Sequence, residues 1–539
     1  MPSVFIDQSE VPLAPNERLN GIQAAARAGV KIPHYCWHAG LTVVASCRMC
    51  LVECGRKDPQ TGQVQMQPKL VPACQTPATD GTVFITDSEK VRAARAMVEE
   101  DLLIRHPIDC PICDKAGECL LQDYHFLHGR DQRRADIQPF TSRRRELGDT
   151  VTLFVDRCVM CSRCVRFCRE VAGTSELMVV NRGSHEEIDV FPGYPLDNKL
   201  SGCVVDLCPV GALGDRDFLY QQRVWFLKSH SHVCSRCSTG CSIKVEENQD
   251  RIYRLKPREN PHVNQWWMCD EGRYGWKHVH DPRRVTEPTR SEGDSRTNVE
   301  WSQLTEQLHA QLSGSRHVGA VLSPHLTVEE AYLLATYVRQ LDAAAVLGVG
   351  PVPVVGEDQV FPTGFTIHAE KCPNRRGVEE VVRHFMGDVV GWQDWLKRVP
   401  SESFDAVWIT GGYPEAWPEE QAASVLGDVP LRIVQDCFDS TLWQLATWRL
   451  PGATFAEREG SFVNQGQWLQ SFPWAIRSPA GATVEGHVYW RLLQRPGLYQ
   501  ARQVLAELAA EIPFFQAAAA GVPDHGVQLA AAELVTGVK

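Results

Sequence analysis

CVMCSRCVRFC, residues 158–168, and DLCPVGAL, residues 206–213, decide how this chain is read. The first places thiols at C-x2-C-x2-C with another cysteine four residues on; the second places a cysteine directly before proline. Bacterial ferredoxins use C-x2-C-x2-C-x3-C-P, where the fourth cysteine serves a second cluster. Here Cys168 lacks the proline, Cys208 has Pro209, and the segment has no second CxxCxxC triplet. The expectation is one four-iron site on Cys158, Cys161, Cys164 and Cys208, with Cys168 and Cys203 as structural thiols.

Working outward, 18 of the 20 cysteines lie between Cys36 and Cys269. Upstream, PHYCWHAGLTVVASCRMC ends at Cys50 with spacing C-x10-C-x2-C, and Cys74 follows. Plant-type two-iron proteins use a clustered pair and a remote fourth cysteine, although with a shorter first gap. Cys36, Cys47, Cys50 and Cys74 are therefore expected to hold a two-iron centre, the loop aiming backbone N–H groups at its sulfurs. Cys54, in the strand-like LVEC, reads as a core cysteine. His106, Cys110, Cys113 and Cys119 form a second group, H-x3-C-x2-C-x5-C, in which a neutral imidazole replaces one thiolate. That substitution removes negative charge and should raise the potential, as in Rieske centres. Downstream, CSRCSTGC and WMCDEGRYGW supply Cys234, Cys237, Cys241 and Cys269. Four sets of four donors in half a chain imply carriage of electrons. Structural zinc is the competing occupant, because it also takes CxxC pairs.

Composition narrows the class. The 539 residues are enough for three or four domains. The net charge of −11 argues against a nucleic-acid binder. No apolar run approaches the roughly 20 residues needed to span a bilayer, and the N-terminal residues lack the pattern of an export signal. Thiols concentrated in CxxC units point to bound metal in a reducing compartment rather than disulfides. The basic run Arg130–Arg145 reads as a solvated loop.

Local patterns fill in the rest. Val4 and Ile6 alternate as in a strand, and Asn20–Ala28 is helical up to Gly29. Val91, Ala94, Val98 and Leu102 give a helical stripe between Ser88 and Arg105. After Pro282 strand-like segments (His317–Leu322, Phe404–Thr410, Leu431–Val434) alternate with helical ones, including a helix entered at Thr327 with Glu330 completing a capping box. Such alternation predicts an α/β domain with a parallel sheet. Gly411-Gly412 reads as a tight turn rather than a phosphate cradle, Cys372 and Cys437 as core, and the alanine-rich end from Val504 as a helix with a frayed tail.

Taken together, PHYCWH…CRMCLVE, HPIDCPICDKAGECLLQD, CVMCSRCVRFCREVAGTSEL with LSGCVVDLCPVGAL, and CSRCSTGC…MCDEGRYG resemble the large iron–sulfur subunit family of NADH-quinone oxidoreductase, respiratory complex I, whose mitochondrial members are the 75-kDa subunits. The resemblance implies an α+β multidomain chain: a β-grasp [2Fe–2S] domain (1–87), a helical segment with a one-histidine [4Fe–4S] site (88–140), a ferredoxin-like [4Fe–4S] domain (141–227), a molybdopterin-oxidoreductase-type [4Fe–4S] domain (228–283) and a shortened molybdopterin-oxidoreductase-like α/β domain (284–539). It implies one [2Fe–2S] and three [4Fe–4S] clusters on the sixteen residues named above, and no residue acting as acid, base or nucleophile. ATFAEREGSFVNQ, residues 453–465, is similar to that wider family's pterin-contacting stretch, but Gly466-Gln467-Trp468 replaces the usual Glu-Gly-Arg, so no molybdopterin is expected. The implied partners are a flavin-bearing NADH-oxidising subunit and other peripheral-arm iron–sulfur subunits, with the membrane reached only through partners on the cytoplasmic side of the inner membrane. An NAD-linked hydrogenase or formate dehydrogenase complex uses related modules and is the alternative setting; an active molybdenum enzyme and a zinc-stapled scaffold are the others.

Overall fold

The structure, a computed structural model, describes residues 2–529 apart from 142, 184, 294 and 417–419. It divides into two compact units, residues 1–227 with 361–363, and residues 228–360 with 364–539.

In the first unit Ser3–Ile6 and Ser9–Pro12 form an antiparallel hairpin. Ser3–Ile6 also runs parallel to Thr82–Ile85, which pairs antiparallel with Leu51–Lys57. The alternation at Val4 and Ile6 puts both side chains in the core, with Val52, Cys54 and Phe84. Helix α1, Gly21–Arg27, starts at a capping box between Asn20 and Gln23 and stops before Gly29, whose φ of +76° suits glycine. It closes this core with Ile22, Ala24 and Ala25.

Helix α2, Glu89–Leu103, is capped by the Ser88 side chain. Its fully buried positions are Val91, Arg95 and Glu99, one i, i+4 row, whereas Ala94 and Val98 are half-buried. The expected apolar stripe is thus turned: two charged residues face inward. Glu99 is accommodated by the Tyr35 hydroxyl, which donates to its carboxylate (2.5 Å). Burial pushes the Glu99 carboxyl up to about 7. The basic run is exposed, as expected, but its arginines are not loose. Arg134 pairs with Glu100 of α2 (2.5 Å), and Arg145 pairs with Glu187 (2.6 Å) and Asp189 (2.5 Å). Helix α3 spans Leu120–His128, α4 Arg163–Phe167 and α5 Cys203–Leu207. The antiparallel strands Arg144–Glu146, Val151–Phe154 and Leu213–Asp215 form one sheet.

In the second unit, Lys228–Val233, Ser242–Asn248 and Arg251–Pro257 make an antiparallel sheet, followed by the short helix α6, Asp270–Tyr274. Beyond it in the chain comes a seven-stranded sheet. Its five parallel strands are Val318–Leu322, Val346–Val349, Ala406–Thr410, Leu431–Asp436 and Trp448–Pro451. Numbered along the chain, their spatial order is 2-1-3-4-5, a doubly wound arrangement. The hairpin Thr289–Glu292/Ser295–Asn298 extends the edge next to Trp448–Pro451. Helices α7, Trp301–Leu312, and α8, Val328–Leu341, bury Leu304, Leu308, Leu333 and Val338 against the sheet, and α8 opens on the expected Thr327/Glu330 capping box. A helix at Ala501–Glu511 begins the alanine-rich end; the final tail, 530–539, lies outside the described residues.

Candidate cofactor sites

The loop from Pro33 to Cys50 gathers Cys36 and Cys47, and the β-sheet edge brings Cys50 and Cys74 beside them; all but Cys47 are fully buried. The Cys47 thiol hydrogen-bonds to Cys36, which lowers Cys36 to about 5 and raises Cys47. Cys74 treats Cys50 in the same way, holding Cys50 down while its own proton is retained. Backbone N–H groups of Ser46 and Cys47 also point at the Cys36 sulfur. The loop achieves this aim with two non-glycine residues in the left-handed region, Ala45 (φ 50°) and Arg48 (φ 58°).

Strain of the same kind recurs in the next two loops. Ile108 (φ 53°) sits between His106 and Cys110, and Met160 (φ 48°) and Ser162 (φ 56°) between Cys158 and Cys164. A β-branched residue rarely takes that conformation, and such outliers collect where a loop must hold a ligand. Met160 N–H donates to the Cys158 sulfur (3.4 Å).

His106 is held neutral: burial, then the Arg157 guanidinium, push its pKa down to about 4. Its Nδ1 accepts from the Ile108 N–H (3.1 Å), so the neutral ring carries its proton on Nε2. Binding iron through Nε2 therefore requires the ring to exchange this bond for one in which Nδ1–H donates. Burial raises the thiols of Cys113 and Cys119, the latter to about 11. Arg223 clasps the loop from outside, donating to the carbonyls of Cys110 (3.0 Å) and Cys113 (3.2 Å). Gly211, of the PVGAL stretch, lies against Cys113 so closely that an ideal Cβ there would fall 2.2 Å from its sulfur.

Cys158, Cys161, Cys164 and Cys208 line one small cavity with Leu153, Ile188, Val210 and Leu213. The structure thus gathers Cys208, not Cys203, at this point; Cys203 and Cys168 are buried away from it. Burial raises the thiols of Cys158, Cys161 and Cys164, Cys161 to about 11, and each is pushed further by neighbouring sulfurs.

In the second unit Cys234, Cys237, Cys241 and Cys269 are all buried, and Cys234 N–H donates to the Cys241 carbonyl (2.9 Å). Burial raises Cys234 to about 12 and holds Cys269 well above its ordinary value, each also sensing Cys237. Cys269 caps α6, accepting from Gly272 N–H (3.3 Å). The pterin-like stretch has a different employment here. Asn464 donates to the Thr239 carbonyl (2.9 Å), and Gln470, just beyond the stretch, to the Gly240 carbonyl (2.7 Å), so this segment fastens the Cys237–Cys241 loop. Arg458 is locked between Glu330 (2.7 Å) and Glu485 (3.0 Å), and Glu457 pairs with Arg284 (2.5 Å). At the end of the third parallel strand Gly411 and Gly412 donate their N–H groups to the Gln435 carbonyl (2.7 Å) and Asp436 (2.9 Å). They form a tight turn and offer no free amides. Cys372 and Cys437 are buried, as expected.

Soft thiolate and imidazole donors in sets of four suit iron–sulfur clusters at all four places. Among the described residues, no three His, Cys, Asp or Glu donors close to the spacing of a single metal ion. Sequence reasoning missed the strained loop residues, the clasp by Arg223 and the contact at Gly211. None has a local signal beyond an arginine or a glycine near a cysteine.

Each of the four segments matches a family of known proteins. The family model for a 2Fe-2S iron-sulfur cluster binding domain matches residues 3–89, and that for the NADH-ubiquinone oxidoreductase-G iron-sulfur binding region matches 95–134. The NADH-quinone oxidoreductase subunit 3 ferredoxin-like domain matches 148–214, and the molybdopterin oxidoreductase Fe4S4 domain 227–281. The NADH-ubiquinone oxidoreductase 75 kDa subunit of Reclinomonas americana is 32% identical over 371 residues, 67% of this chain and 52% of that protein. The mitochondrial NADH dehydrogenase [ubiquinone] iron-sulfur protein 1 of Solanum tuberosum is 36% identical over 299 residues, 55% of this chain and 39% of that protein. A crystal structure of NAD+-reducing [NiFe]-hydrogenase in the H2-reduced state aligns with a TM-score of 0.35 and 28% identity, covering 41% of this chain and 91% of that one. The chain spans about half the length of the curated relatives it matches. The resemblance read from the motifs is borne out by these relatives.

Proposed function

For this relative of the 75 kDa iron–sulfur proteins of NADH-quinone oxidoreductase, we propose the role of an electron-transfer subunit. It relays electrons from the flavin of a partner subunit towards quinone, within the peripheral arm of a complex on the cytoplasmic side of a membrane. The observation that carries the reading is that each of the four donor sets falls inside a segment matched by an iron–sulfur family model, with Cys158, Cys161, Cys164 and Cys208 lining one cavity.

In this reading Cys36, Cys47, Cys50 and Cys74 hold a [2Fe–2S] cluster. Three [4Fe–4S] clusters are held by His106, Cys110, Cys113 and Cys119; by Cys158, Cys161, Cys164 and Cys208; and by Cys234, Cys237, Cys241 and Cys269. When bound, such clusters supply one-electron carriage at potentials set by cluster type, charge, hydrogen bonds and exposure. The chain's own work is to bind, insulate and tune. Its thiols give up protons on loading, at a cost that burial makes high and the incoming cations offset. Apolar walls such as Leu153 and Val210 exclude water from the third site, and N–H groups on strained loops offer hydrogen bonds to sulfur. The divisions 1–87, 88–140, 141–227, 228–283 and 284–539 are the corresponding domains, the last a molybdopterin-oxidoreductase-like α/β scaffold without that cofactor. Among the described residues no helix is long and apolar enough to cross a membrane.

Iron quantification with EPR at graded potentials tests this. The expected result is about fourteen irons per chain and signals from one two-iron and three four-iron centres. Colourless protein containing zinc, silent on reduction, overturns it.

A further inference from the structure

Two arginines of the motif CVRFC's own helix stand where no ligand is needed. Arg163 and Arg166, one turn apart on α4, are 7% and 2% exposed. Arg166 donates to the carbonyls of Cys36 and Thr42, in the loop of the first site, and to those of Cys161 (3.2 Å) and Ser162 (3.3 Å), in the loop of the third. Arg163 repeats the pattern: it donates to the Trp37 carbonyl (2.6 Å), next to Cys36, and to the Leu207 carbonyl (3.2 Å), next to Cys208. Each guanidinium therefore has one hand on each site.

Neither forms an ion pair with a carboxylate among the described residues. Glu170, the acid that approaches, is already engaged by the Thr42 N–H (2.9 Å), the Thr42 hydroxyl (2.6 Å) and Arg169 (2.9 Å). The Nε of Arg163 has no partner at all. Two buried cations bound only by carbonyls are strongly unfavourable unless negative charge stands close by. A cluster held by four thiolates is an anion and becomes more so on reduction, and net charge is one of the levers on its potential.

Resting on the cluster assignment above, we propose that Arg163 and Arg166 form one shared cationic bridge between the Cys36 and Cys158 sites, easing reduction in both and tying their potentials together. When one electron leaves one site and enters the other, the guanidiniums neither gain nor lose protons, since arginine stays charged in proteins. They are positioning residues, reaching the clusters through backbone and field alone.

The test is EPR-monitored redox titration of the purified full chain, wild type beside Arg166→Gln, Arg166→Lys, Arg163→Gln and Arg163→Lys, with iron content measured throughout. Each glutamine variant is expected to shift both midpoints negative together, by about tenfold in each reduction equilibrium, or about 59 mV for one electron. The lysine variants should stay near wild type. A shift in only one centre, or in neither, overturns the bridge, as does an equal shift in the lysine variants. If the glutamine variants lose both clusters while the lysine variants keep them, the charge requirement stands; loss in the lysine variants as well refutes it. Wild-type protein without the two signals would instead sink the cluster assignment itself.

Discussion

Gly211→Ala isolates a single contact at the histidine-bearing site. Gly211 is not in the left-handed region, so alanine is accepted by the backbone itself. Its new methyl would lie 2.2 Å from the Cys113 sulfur and 3.2 Å from the Lys115 Cβ. Contact distance for such atoms is nearer 3.5–4.0 Å, so the sulfur must retreat by about 1.5 Å. In the empty chain that costs little, because Cys113 can turn about χ1 and its loop is half-exposed. A sulfur fixed to iron has no such freedom, since metal–thiolate bonds tolerate only a few tenths of an ångström. The variant is thus expected to fold with an unchanged circular dichroism spectrum while losing one four-iron centre, falling from about fourteen irons to about ten per chain. Iron assay, sulfide assay and EPR of the reduced protein read this directly. Full iron with unaltered spectra would refute the placing of Cys113 among the ligands.

Two further outcomes follow from the geometry. His106→Cys replaces a neutral donor by an anionic one, so the centre should persist with a lower potential; an unchanged spectrum and titration would exclude histidine ligation. Glu329 is fully buried, accepts from Ser461 N–H (2.8 Å), and burial raises its carboxyl to about 7. Because its folded pKa exceeds the unfolded value of about 4.3, its stabilising effect is complete below pH 4 and is lost as pH rises through 7. Stability measured by thermal unfolding should therefore fall by about 4 kcal/mol across that window in wild type and by less in Glu329→Gln, and parallel curves would contradict the burial.

What was legible in the sequence is what local spacing encodes. The Asn20 and Thr327 caps, the core role of Cys54 and the parallel strands after residue 283 all follow from patterns a few residues long, as does the spacing of the candidate donors. The inward turn of α2 was not legible, because placing Arg95 and Glu99 on the buried row depends on Tyr35, far away in the chain. The contact of Gly211 with Cys113 and the reach of Arg166 to the Cys36 carbonyl escape for the same reason. A glycine in a turn and an arginine beside a cysteine each have commoner explanations until folding brings the distant partner into view. The engagements of the pterin-like stretch lie equally beyond local spacing: Asn464 grips the Thr239 carbonyl, and Arg458 pairs with Glu330.

That grip reaches into how the chain can be cut or shortened. Because Asn464 and Gln470 hold the carbonyls of Thr239 and Gly240, a fragment stopping at residue 283 would release the CSTGC hairpin from its far-end moorings. Cys237 and Cys241 flank those two carbonyls, so the loop that carries them is positioned by residues more than two hundred places further along the chain.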